Sequence, residues 1–151
     1  MSSKLKIAVV GATGAVGEAM LSILAEYGFG DADVHALASE ISLGKTLDFG
    51  HRKLPVEVLD DYDFSGTDYG LFSAGAGISL QHAPRAAEAG CTVIDNTSAF
   101  RLDDDIPLVV PEINGDLLEN LGPGSIIANP NCSTIQMLIA IAPIHQIAGI
   151  D

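Results

Sequence analysis

The sequence predicts an α/β fold: one mostly parallel sheet with helices on both faces. Three observations predict it. Short β-branched runs recur along the 151 residues, stretches with helical spacing of apolar residues separate them, and glycine-rich turns stand where a strand would pass into a helix. Strands that alternate with helices pair in parallel through right-handed crossovers, because a parallel neighbour needs a long connection.

The elements follow in order. Lys4 to Val10 is the first strand and ends at Gly11; Ala15 to Tyr27 places Val16, Met20, Ile23 and Leu24 at helical spacing. Val34 to Ala38 is a second strand, Leu54 to Leu59 a weaker one, and Tyr69 to Ser73 a clear one. A helix over Ser79 to Ala89 leads into a strand over Thr92 to Asp95. Ser98 to Asp105 then reads as a loop, and Pro107 to Pro111 as a short extended piece. Ser125 to Ala128 is the last strand. The apolar run from Ile135 to Ile141 is a helix that should kink or break at Pro143. No repeat, low-complexity tract or linker divides the chain, which is expected to be a single domain over 1–151 that ends with the turn and helix at about 129–149.

Composition narrows the function classes. With 48% hydrophobic and 18% charged residues, the chain can bury a substantial core. Its apolar runs stay well short of the roughly 20 residues that cross a bilayer, and the Met1 to Lys4 start carries no apolar leader, so a cytoplasmic protein that does not bind membranes is expected. Seven Lys and Arg against 20 Asp and Glu, a net charge of −13, argue against nucleic acid. Any arginine that meets an anionic ligand must then be locally placed. Two cysteines in such a setting do not imply a disulfide, and no cysteine or histidine spacing suits a metal. His35, His51, His82 and His145 are read as structural or surface residues.

Cys132 sits between Asn129-Pro130-Asn131 and the apolar helical run. A thiol at a helix N-terminus meets unpaired amides and the positive end of the helix dipole, which favour thiolate, and the same amides can hold an oxyanion. Cys132 is therefore a nucleophile candidate for acyl chemistry, against the alternative of a small buried apolar residue. Cys91, at the entry to an apolar strand, is read as structural.

Gly11-Ala12-Thr13-Gly14-Ala15-Val16-Gly17 joins the first strand to the first helix, the context a dinucleotide-binding turn requires; tight strand–helix packing is the competing use of such glycines. After the second strand, Ser39 and Ser42, or Glu40, stand where an adenosine ribose would lie, with Glu40 as a plain solvated residue the alternative. Ser73-Ala74-Gly75 closes another strand at the sheet's carboxyl edge, as part of a ligand site or as a simple turn. Arg101 offers a planar fork to a phosphate or carboxylate, or an ion pair to Asp103, Asp104 or Asp105.

Four ordered segments, Gly11 to Gly17, Val93 to Arg101, Pro107 to Asn114 and Asn129 to Gln136, closely resemble aspartate-semialdehyde dehydrogenase over essentially the whole chain. N-acetylglutamyl-phosphate reductases are similar in outline but usually carry Gly-Cys-Tyr where Asn131-Cys132-Ser133 stands here. A non-catalytic nucleotide-binding module is the other reading, disfavoured by the presence of both Cys132 and Arg101.

The resemblance implies a Rossmann-like NAD(P)-binding domain. It also implies NADP-dependent reductive dephosphorylation of L-aspartyl 4-phosphate to L-aspartate 4-semialdehyde through a cysteine thioacyl intermediate, on the route to lysine, threonine and methionine. By position, Cys132 is the nucleophile, Arg101 binds the phosphate, Asn131 helps orient it, and Gly11, Thr13, Gly14, Ala15, Val16, Gly17, Ser39, Ser42, Ser73 and Gly75 line the cofactor site. The family commonly has Arg-Ser where Ile41-Ser42 stands here, so weakened selectivity for NADP, with NAD admitted, is expected. The resemblance further implies that the family's second domain, with the acid–base histidine, the substrate-binding glutamine and arginine and most of the homo-oligomer interface, is absent from these 151 residues. The chain alone is then expected to be inactive.

Overall fold

The computed structural model describes residues 4–150, so the leader expectation at Met1 to Ser3 lies outside the described residues. Seven strands form one sheet in the order β3-β4-β2-β1-β5-β6-β7: β1 Lys6–Val10, β2 Asp33–Ala38, β3 Thr46–Phe49, β4 Arg52–Val58, β5 Tyr69–Phe72, β6 Thr92–Asp95 and β7 Ile126–Ala128. All neighbours pair in parallel except β3, which runs antiparallel to β4 at one edge. The helices are α1 Ala15–Leu24, α2 Ala76–Glu88, α3 Pro111–Asn114 and α4 Cys132–Ala148.

Period-two alternation in β1 builds two cores. Ala8 and Val10 face one side with Phe64, Phe72, Val93 and, from α2, Ala83 and Ala86. Ile7 and Val9 face the other with Val34, Ala36, Phe49 and, from α1, Leu21. A central strand buried on both faces explains why Ile7-Ala8-Val9-Val10 is unbroken apolar sequence rather than an alternating one.

Four expectations change. The α1 face turned to the sheet carries Gly17 and Leu21, with Met20 and Leu24 half-buried at its edge, whereas Val16 and Ile23 are half-exposed, because the stripe runs one residue off the reading of the spacing. α1 itself ends at Leu24, and a single wider turn over Ala25–Phe29 closes it, with Gly28 at φ +92°. β3 was not anticipated: Thr46 to Phe49 is a short edge strand that alternates apolar and polar residues, and it pairs Thr46 with Pro55. Pro143 lies inside α4 without ending it, and Pro84 sits inside α2 in the same way.

Downstream of β6, Leu108 bridges Ala128 in parallel, so the Pro107 to Pro111 piece extends the sheet, and Pro111 then starts two short helical turns, α3 and Gly115–Asn120. α4 has no fully buried residue, and Met137, Ile139, Ile144 and Ile147 are exposed along it. Among the described residues no helix is long and apolar enough to cross a membrane.

Candidate functional site

Every sequence-predicted site residue lies at the carboxyl ends of the parallel strands, where open α/β sheets hold ligands. Gly11 leaves β1 at φ +83°, with its amide and that of Ala12 both donating to the Leu37 carbonyl (2.9 and 3.1 Å), so the turn is anchored on β2. A Cβ at Gly17 would stand 2.2 Å from the Gly11 carbonyl oxygen and 2.6 Å from Ala12 Cα. Only glycine lets α1 start this close to the turn, which leaves the first-turn amides of Ala15, Val16 and Gly17 without intrahelical acceptors.

Beside this turn is a hollow of about 390 Å³ lined by Gly11, Thr13, Gly14, Ser39, Ser73 and Asp60 among others. Its floor is tied down. Ser73 donates its hydroxyl to the Val10 carbonyl (3.0 Å), and Ser42, nearly buried, places its Oγ 3.5 Å from Thr13 Oγ1, linking the loop after β2 to the glycine turn. Glu40 and Lys45 are exposed beside it, and Ile41 is 91% exposed. Gly75, at φ +101°, precedes the first turn of α2. Asp60 on the rim lies 3.2 Å from Nε2 of the buried His82, whose Nδ1 accepts from Arg85 Nε (3.0 Å). Burial first, then the Arg85 charge, lowers the His82 pKa below its ordinary 6.5.

A larger hollow, about 690 Å³, lies between α1 and the β3–β4 turn, lined by Glu18, Ser22, Glu26, Asp48 and His51 among others and by none of the predicted site residues. Its acidic side chains are Glu18, Glu26 and Asp48. Among the described residues no group of three or more His, Cys, Asp or Glu is gathered as a metal site.

The second half of the site is built on β6 and β7. Arg101 donates from Nε to the Asn129 carbonyl (2.9 Å) and from Nη2 to the Asn96 carbonyl (3.0 Å), which replaces the ion pair with Asp103, Asp104 or Asp105 as its anchorage. A guanidinium has five N–H donors, so three remain for a ligand. Asn129 in turn donates from Nδ2 to Asn96 Oδ1 (2.6 Å).

Beneath them the fully buried Asp95 accepts from Ser79 Oγ (2.6 Å), Thr97 Oγ1 (2.7 Å) and the Thr97 amide (3.3 Å). Asp95, Asn96, Asn129, Ser79 and Thr97 were not singled out as functional by their types or spacing. The only trace in sequence is the density of small polar residues from Asp95 to Ser98.

Cys132 opens α4 and is exposed, which removes the reading of it as a buried apolar residue. Asn131 is the N-cap: its Oδ1 accepts from the Ser133 amide (2.9 Å), so its acceptor is spent on starting the helix while its Nδ2 has no acceptor among the described residues. Cys91 is fully buried, and burial, with a smaller push from Asp68, raises its thiol to about 12. Arg101 and Cys132 share the Asn129 to Cys132 turn, but neither lines the 390 Å³ hollow.

Comparison with known proteins agrees with this geometry. The sequence profile described as "Semialdehyde dehydrogenase, NAD binding domain" matches residues 6–121. An aspartate-semialdehyde dehydrogenase from Legionella pneumophila is 51% identical over all of this chain, which covers 44% of that protein. Aspartate-semialdehyde dehydrogenase 2 of Vibrio cholerae is also 51% identical, with 45% of it covered.

Among solved structures, aspartate semialdehyde dehydrogenase II of Vibrio cholerae complexed with ASA superposes with a TM-score of 0.91 at 51% identity, covering 98% of this chain and 48% of that one. The Candida albicans enzyme with NADP gives 0.71 at 25% identity, covering 97% and 48%. The chain thus spans a little under half the length of these relatives.

Proposed function

The chain belongs to the semialdehyde dehydrogenase NAD-binding domain family, and from that premise we propose that it is the cofactor- and nucleophile-bearing domain of an aspartate-semialdehyde dehydrogenase. The reaction is the reductive dephosphorylation of L-aspartyl 4-phosphate to L-aspartate 4-semialdehyde. The observation that carries the proposal is the anchorage of Arg101 on Asn129, three residues before the exposed Cys132. Three extended residues reach at most about 10 Å, so the anion site proposed at Arg101 and the thiol lie in one neighbourhood.

The cradle fits a nicotinamide dinucleotide. Gly11 and Gly17, where a Cβ would meet the Ala74 backbone and the Gly11 carbonyl, let the turn close tightly against α1, whose first-turn amides meet the charge of a pyrophosphate, while Ser39 and Ser73 line the hollow and Ser42 holds Thr13. When bound, the cofactor supplies a hydride. NADP is the proposed cofactor and NAD is admitted, because Ile41 offers nothing to a 2′-phosphate and the adjacent Glu40 repels one.

In the proposed chemistry the Cys132 thiolate attacks the acyl carbon, the S–C bond forms, and the C–O bond to phosphate breaks. The N–H groups that Arg101 has left hold the departing phosphate, and the first-turn amides of α4 face the developing oxyanion. Cys132 would hold the acyl group as a thioester for the cofactor's hydride and would leave as thiolate when the C–S bond breaks and the aldehyde is released.

The remaining proton transfers need an acid–base group that these residues do not set beside the thiol: His145 lies 13 residues along α4 from Cys132, roughly 20 Å at the helical rise. Turnover by the 151 residues alone is therefore not expected. The test is intact mass after mixing the chain with L-aspartyl 4-phosphate. A thioester adduct that maps to Cys132 and is absent in Cys132→Ser is expected, and no adduct on a folded chain would overturn the reading.

A further inference from the structure

We infer that the Asn96–Asn129 side-chain pair is a positioning clamp for Arg101, an inference that rests on the anion-binding role proposed above for that arginine. The two residues lie 33 apart in sequence, at the ends of β6 and β7. Each contributes one backbone carbonyl to the guanidinium, Asn96 to Nη2 and Asn129 to Nε. Their side chains are joined to each other at 2.6 Å. The amide–amide bond therefore fixes the separation of the two carbonyls, and that separation sets the plane in which the guanidinium lies.

The clamp is itself held on both sides. The Asn129 amide donates to the Asp95 carbonyl (2.8 Å) and the Asn96 amide to the Phe72 carbonyl (2.9 Å), so both residues continue the strand ladders. Beneath Asn96, the Asp95 carboxylate binds Ser79 of α2 and Thr97, whose Oγ1 accepts from the Ala99 amide (3.2 Å). The loop between Asn96 and Arg101 is thus pinned at its start and middle. A free arginine has several rotatable bonds, and orienting it in advance removes an ordering cost from anion binding. Asn96 and Asn129 act through Arg101 and need not touch a ligand.

Two readouts on the 151-residue chain test this. The first is the hydrogen-exchange protection of the Arg101 Nε–H resonance. The second is the ratio of Cys132 alkylation rates with iodoacetate and iodoacetamide, which divides out thiol exposure and reports the local positive charge. In Asn96→Ala and Asn129→Ala the Nε–H protection is expected to fall at least fivefold and the ratio by about twofold, the size of one unit charge acting across several ångströms of water. Asn96→Asp retains the acceptor for Asn129 Nδ2 and should restore the protection, which a merely disordered loop would not. Arg101→Ala supplies the floor for the ratio.

Unchanged protection in both alanine variants, with a native amide spectrum, would overturn the clamp. Lost protection with a native ratio would overturn its positioning role. A native ratio in Arg101→Ala would place the failure in the anion-site reading instead, because protection in the Asn variants still reports the clamp directly.

Discussion

The Nε of Arg101 donates to the main-chain carbonyl of Asn129 at 2.9 Å, across 28 residues of sequence. The contact joins the loop after β6 to the turn that carries Cys132, and its acceptor is a backbone atom. It therefore depends both on the β6–β7 register, Val93 with Ile126 to Asp95 with Ala128, and on the Asn96–Asn129 side-chain bond that holds the carbonyl in place.

Arg101→Lys keeps the charge but cannot reach both carbonyls. One charge-assisted bond is worth about 1.5–3 kcal/mol, so the protection of Cys132 from alkylation by inorganic phosphate should require roughly ten- to a hundredfold more phosphate. A dose–protection curve checks this, and overlapping curves for the variant and the parent would refute it.

How far this site could be read in the sequence differs by residue. The glycine turn, the polar turn before Cys132 and the succession of strands and helices along the chain are local patterns: spacing, type and neighbours suffice. Arg101 stood out in the sequence as an anion-ligand candidate, but its anchorage did not, since three aspartates within four residues suggest an ion pair and only the sheet brings Asn96 and Asn129 to it. Asp95 looks like the end of a strand until α2 delivers Ser79 to it. β3 was hidden because Thr46 to Phe49 gains its partner from a hairpin containing Pro55, and proline weakens any strand signal around it.

The two cysteines should separate cleanly. Near pH 8, iodoacetamide is expected to label Cys132 alone, leaving the fully buried Cys91 untouched until the chain unfolds. Peptide mapping after brief labelling decides it, and comparable labelling of both thiols would contradict the burial.

Cys91 also predicts an alkaline limit. Its folded pKa of about 12 exceeds the ordinary 9.0 of an unfolded thiol, so the unfolded chain loses this proton first. The contribution is fully present below about pH 9 and is lost as pH rises from there through 12. The raised pKa of Tyr62, also caused chiefly by burial, acts in the same direction above about 10. Urea midpoints should fall above pH 9 in the parent and fall less in Cys91→Ala, which costs about 1 kcal/mol at neutral pH. Parallel pH profiles would remove Cys91 as the cause.

Gly17→Ala would place a Cβ 2.2 Å from the Gly11 carbonyl oxygen, with backbone on both sides of the clash. Overpacking of this kind costs about 1–3 kcal/mol, and α1 must move away from the turn. Urea denaturation should show the loss, and NADPH fluorescence should show no binding by folded variant. Native affinity would mean that the turn is not the pyrophosphate site.

Ile41→Arg should raise NADP affinity roughly ten- to a hundredfold with little change for NAD, since the 91% exposed side chain stands beside Ser42 and Glu40. Paired titrations of both nucleotides against both chains give the answer. Strong NADP preference in the parent would overturn the expected loss of selectivity.

The helix headed by Cys132 has consequences for how the thiol is kept in order. α4 is apolar on all sides yet fully buries none of its residues, and only Thr134, Ile135, Leu138, Ile141 and Ala142 are half-buried along it, so it draws less support from packing than the sheet does. Its amides are expected to exchange with solvent faster than those of β1, whose residues are buried on both faces of the sheet. The turn that presents Cys132 is then only as rigid as whatever lies against α4, whose steadiness sets how firmly the thiol is held.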